Sequence, residues 1–138
     1  MDQATKCLVV MYHYVRDMHT TQYPNIKGLL IEKFKSQIEY LSKRYTFVSI
    51  EQYVGYLQGK TKVIPANSCI LSFDDGLKDH FTNVFPILKE HNIPGCFFIP
   101  IKPLIDHKVL PVQKSQFILA KIGSKRFANQ INRTIQAK

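Results

Sequence analysis

The run Ile70-Leu71-Ser72-Phe73-Asp74-Asp75-Gly76 ends an apolar stretch in two adjacent carboxylates and a glycine. Neighbouring carboxylates repel each other. Holding both at the end of a buried strand costs stability unless a cation or a shared proton offsets the repulsion. A divalent metal is the natural cation, because it takes one carboxylate as a ligand and leaves the other free as a base. The alternative is a plain Asp-Asp-Gly turn, with one Asp capping the next helix and the other in water. Cys7, Cys69 and Cys96 have no metal-binding spacing. No neighbouring base or cation is evident to activate a thiol, so core packing in a reducing compartment is expected.

The surrounding elements decide whether the Asp pair sits where chemistry is done. Cys7-Leu8-Val9-Val10-Met11 is a continuous apolar run, as in a parallel strand buried on both faces, and it ends in Tyr12-His13-Tyr14. Phe34, Ile38, Leu41 and Tyr45 form one stripe of a helix over residues 32–44. Thr46 to Val48 is a short strand. Ser49 and Gln52 have capping-box spacing for the helix that follows, Val48 and Tyr53 can staple its start, and Gly59 can end it. Ser68 to Phe73 is the strand that delivers Asp74 and Asp75. The next helix covers residues 78–91 with Phe81, Val84, Phe85 and Leu88 on its buried side, and Pro86 predicts a kink or a restart. Cys96 to Ile99 is another fully apolar strand, closed by Pro100. Residues 112–122 and 124–138 read as helices, the last one basic and amphipathic with Phe127, Ile131 and Ile135 four apart. Strict alternation of strands and helices points to an α/β protein with a parallel sheet. Functional groups in such folds gather at the carboxyl ends of strands, where Tyr12-His13 and Asp74-Asp75-Gly76 both fall.

With 138 residues, 45% hydrophobic and 21% charged, the chain fits one globular domain, taken as residues 1–138. No apolar run approaches the roughly 20 residues of a membrane span. The start of the chain lacks the basic-then-apolar plan of a signal peptide, so a cytoplasmic location is expected. Residues 102–138 carry eight basic residues against one acid, Asp106, and so hold most of the net charge of +9. An anionic partner and a solvated helix face both explain this excess. Only Phe117 and Phe127 are aromatic in that segment, so a base-stacking surface, and nucleic acid as a partner, is not expected.

The stretch Ser72-Phe73-Asp74-Asp75-Gly76 resembles the signature of the polysaccharide deacetylases, carbohydrate esterases of family four related to nodulation protein B. Phe85 to Pro94 resembles the helix and turn that follow in that family, Phe97-Phe98-Ile99 its next strand, and Met11-Tyr12-His13 the leading strand of one subgroup. The likeness covers about residues 7–100; residues 104–138 form the basic helical part beyond it. It implies a partial (β/α) barrel, with parallel strands alternating with helices, and metal-dependent removal of N-acetyl groups from an amino-sugar polysaccharide or glycoconjugate. In that scheme Asp74 is the general base, Asp75 a ligand to zinc or a similar divalent ion, and His13 a substrate-binding group at the mouth of the site. A packed or solvated strand-end histidine is the other reading of His13.

The chain departs from the family in two respects. It has His13, His19, His80, His91 and His107, with no pair at the i, i+4 or i+5 spacing that completes the family's metal site. A full barrel of this type needs about 200 residues or more. The resemblance therefore implies an incomplete catalytic domain, inactive alone, whose partners are a carbohydrate and, through unpaired barrel edges, further copies of itself. A non-catalytic half-barrel that binds an anionic glycan or nucleic acid through its basic segment is the rival reading.

Overall fold

Four parallel strands form one sheet around a central strand that ends at the first carboxylate of the motif. The computed structural model describes residues 6–23 and 25–137. They fall into two compact units, one running up to Arg16 and resuming over Leu29–Ile99, the other comprising Asp17–Gly28 and the chain from Pro100 onward.

The first unit contains β1 (Cys7–Tyr12), α1 (Ile31–Ser42), β2 (Thr46–Phe47), α2 (Ile50–Leu57), β3 (Ser68–Asp74), a π-helical turn (His80–Val84), α3 (Phe85–Glu90) and β4 (Gly95–Phe98). β1 pairs with β3 along its whole length, from Cys7 opposite Ser68 to Tyr12 opposite Phe73. The other edge of β3 is shared: β2 pairs with Ser68 and Cys69, and β4 with Leu71 to Asp74. All pairings are parallel, and the sheet is open rather than closed into a barrel.

Successive side chains on a strand alternate between faces, so paired residues share a face. One face carries Cys69, Leu71 and Phe73 with Tyr12, and packs against Phe34, Ile38 and Leu41 of α1 and Val84, Ile87 and Leu88 beyond β3. Tyr12, Phe73 and Phe97 make a stacked aromatic row across three strands, at centroid distances of 5.3 and 4.9 Å. The other face is covered only at its beginning, where Ile70 packs with Val48, Ile64 and residues of α2. The Ser49–Gln52 capping box fixes the start of α2, as its sequence predicts. Further along, Val9 and Met11 are 56% and 59% exposed, and Phe98 is also open. The apolar runs of β1 and β4 are therefore not buried on both faces. The described sheet lacks the layer that a closed barrel would lay against them.

The helix after β3 departs from its expected buried stripe. Val84 and Leu88 are buried, but Phe81 and Phe85 are 75% and 46% exposed, and His80 and Ile87 point inward instead. A π-turn closes i to i+5 rather than i to i+4, so it shifts the phase of the apolar positions. It also resolves Pro86, which falls in the first turn of α3, where no intrahelical N–H is required.

The second unit holds α4 (Ile101–Asp106), α5 (Pro111–Ile122) and α6 (Ser124–Gln136). α4, directly after the strand that Pro100 closes, is not among the helices that the sequence predicts. A proline in a first helical turn is tolerated, and His107, with a φ of 49°, ends the helix in the left-handed region. Within this unit Phe117 packs on Tyr23 with ring centroids 4.7 Å apart, and Asn25 donates to the Ala120 carbonyl. α6 buries no residue, and Ile131 and Ile135 of its apolar stripe are exposed. Lys138, the end of the expected last helix, lies outside the described residues. No helix among the described residues is long and apolar enough to cross a membrane.

Candidate active site

Asp74 is the last residue of β3, on the same face as Ser72, whose hydroxyl donates to Asp74 Oδ1 at 2.9 Å. That bond orients the carboxylate. The chain then turns sharply, with φ of 77° at Asp75 and 57° at Gly76. Glycine tolerates this region, whereas an aspartate there is under local strain, a feature that clusters at functional sites. Gly76 is also required by space: a Cβ there would lie 2.9 Å from Ile99 Cγ2. The Asp-Asp-Gly segment is thus a turn, and no helix-capping bond from either carboxylate is found among the described residues.

His13 follows Tyr12, and Tyr12 lies opposite Phe73. His13 and Asp74 are therefore the next residues along two adjacent parallel strands, at the same end of the sheet. The segment after β1 is held by three side chains from beyond β3. His80 Nε2 donates to the His13 carbonyl at 2.9 Å, and Asn83 Nδ2 to the Val15 carbonyl at 2.8 Å. Arg16 makes a two-pronged ion pair with Asp79, at 2.7 and 3.0 Å. Arg16 also lies 4.6 Å from the centre of the Tyr14 ring. Burial pushes the Tyr14 phenol above its ordinary pKa; the Arg16 cation opposes this, and the Asp75 and Asp79 carboxylates add to it. The Cys96 thiol, on the face of Asp74, is raised mainly by burial, with smaller contributions from Glu51 and Asp74.

The sequence alone did not single out Tyr14, Arg16, Asp79, His80 or Asn83. Arg16 and Asp79 are 63 positions apart, and His80 turns inward only because of the π-turn. Among the described residues, no group of three or more His, Cys, Asp or Glu side chains is placed to hold a metal ion. Asp75 is one oxygen donor, and a catalytic zinc takes three protein ligands, so the residues present do not form such a site.

Residues 61–116 match the model of the family described as polysaccharide deacetylase. Over 70 residues the chain is 33% identical to poly-beta-1,6-N-acetyl-D-glucosamine N-deacetylase of Staphylococcus epidermidis. The chain is homologous to the polysaccharide deacetylases over part of its length. That alignment covers 49% of this chain and 23% of the staphylococcal protein. Two solved structures share the fold. IcaB from Ammonifex degensii is 28% identical with a TM-score of 0.58, over 70% of this chain and 39% of that one. A de-N-acetylase from Aggregatibacter actinomycetemcomitans is 29% identical with a TM-score of 0.61, over 76% and 42%. The chain thus spans less than half of the length of each of these three proteins.

Proposed function

We propose that this chain is the N-terminal portion of a carbohydrate N-deacetylase, a hydrolase that removes acetyl groups from an amino-sugar polysaccharide or glycoconjugate. The observation that carries this reading is the Asp74-Asp75-Gly76 turn at the carboxyl end of β3, beside His13 at the same end of the neighbouring strand. The family match and the relatives' names supply the reaction class. In this proposal Asp74, oriented by Ser72, accepts the proton of the water that adds to the amide carbonyl. The C–N bond then breaks as that proton passes to the leaving nitrogen, which gives acetate and a free amine. His13 contacts the sugar, and Asp75 is one donor of a metal site whose other donors the described residues do not provide. No step is assigned to a metal held by this chain alone.

The test is acetate release from N-acetylglucosamine oligomers with added zinc or cobalt. The chain alone is expected to give little or none. Robust turnover that vanishes in Asp74→Asn would uphold the chemistry and overturn the incompleteness.

A further inference from the structure

The His80 imidazole is 4% exposed and lies against Phe73 and Phe97, at centroid distances of 5.6 and 6.0 Å. Its Nδ1 is buried without a hydrogen-bond partner. An unpartnered buried polar atom costs about 1–3 kcal/mol, so an apolar ring would suit this aromatic pocket better. What the imidazole contributes and an apolar ring cannot is its other nitrogen. The partner of Nε2 is a backbone carbonyl, which only accepts, so Nε2 is the donor and the bond fixes the tautomer.

That single bond ends on the carbonyl of His13. It belongs to a set in which the π-helical turn and the residue just before it hold three of the four residues that follow β1. Asp79 holds Arg16, His80 holds His13 and Asn83 holds Val15. π-turns recur at functional sites because they re-aim side chains that regular helix would place elsewhere. Here the phase shift brings His80 inward, to within reach of β1.

We infer that His80 is the positioning residue for His13. It does not touch the substrate; it fixes the backbone from which the His13 side chain is presented, at the level of Asp74. This inference rests on the deacetylase reading for what His13 does, but not for how His13 is held.

The test uses the full chain with isotope-labelled histidines and a chitin oligomer as probe. His80→Phe keeps a ring in the pocket and removes the donor, whereas His80→Gln keeps a donor reaching toward the His13 carbonyl. In His80→Phe the His13 imidazole signal is expected to shift or broaden, and oligomer affinity to fall about five- to tenfold, the equivalent of one hydrogen bond. In His80→Gln the signal should return toward wild type and affinity should lie within about twofold of it, by the same reckoning. An unchanged His13 signal in His80→Phe, or a His80→Gln variant as impaired as His80→Phe, overturns the inference. If His80→Phe does not fold, the ring nitrogen shifts of His80 in the wild type decide: a proton on Nε2 with Nδ1 bare upholds the bond to the His13 carbonyl, and a proton on Nδ1 with Nε2 bare overturns the inference. If the wild type ignores the oligomer while the His13 signal still follows His80, the positioning stands and the carbohydrate reading falls.

Discussion

Arg16 and Asp79 offer the sharpest energetic test of how the segment carrying His13 is held. Their side chains are 18% and 13% exposed, so the pair is largely withdrawn from water. At an effective dielectric constant of about 20, two charges about 4 Å apart attract by roughly 4 kcal/mol. Desolvation and side-chain ordering remove part of this, leaving about 2 kcal/mol, in keeping with hydrogen bonds to charged groups. Removing one partner also strands the other charge, so Arg16→Met or Asp79→Leu alone should cost about 3 kcal/mol, roughly a hundredfold in the folding equilibrium. The double variant should cost less than the two singles together, by about 2 kcal/mol of coupling. Loss of the Arg16 contact with the Tyr14 ring occurs in both the single and the double variant and cancels in the cycle. Urea unfolding of the four proteins measures the coupling. A value below about 0.5 kcal/mol would place the pair among ordinary surface ion pairs and refute its anchoring role.

Two further outcomes follow from burial. Burial, with a smaller contribution from Cys7, raises the Cys69 thiol from 9.0 to about 11, and burial raises the Tyr12 phenol from 10.0 to about 12. The folded state therefore keeps protons that the unfolded state loses, and stability falls as pH rises from about 9 towards 12. Urea midpoints against pH should show this fall, and Cys69→Ala should flatten it between about 9 and 11; an unaltered slope would contradict the assignment. The exposed apolar face at Val9, Met11 and Phe98 is expected to drive self-association of the isolated chain despite its charge of +9. Light scattering that reports a stable monomer at high concentration, with cooperative melting, would count against an open half-barrel.

The motif and its place were legible because strand, turn and glycine are local signals. The apolar run to Phe73, the carboxylates and Gly76 each follow from residue types in sequence, as does the Ser49–Gln52 cap. What escaped depended on geometry between distant residues or on helix phase. Apolar content alone does not say whether a second layer covers Val9 and Met11, so the run predicts burial on both faces where one face is open. The stripe Phe81, Val84, Phe85 and Leu88 assumes 3.6 residues per turn, and one π-turn is enough to exchange Phe81 for His80. Every tie from that turn to the segment after β1 spans more than 60 positions, beyond any local pattern.

The central claim is that the carboxyl ends of β1 and β3 form one carbohydrate-facing site. Titrating the labelled chain with a chitin oligomer and following backbone amide shifts tests it directly. The account predicts that the largest changes cluster at His13, Tyr14, Asp74, Asp75 and Gly76, and that Asp74→Asn alters them. Changes confined to the basic helix Ser124–Gln136, or no change at a saturating oligomer concentration, would contradict it.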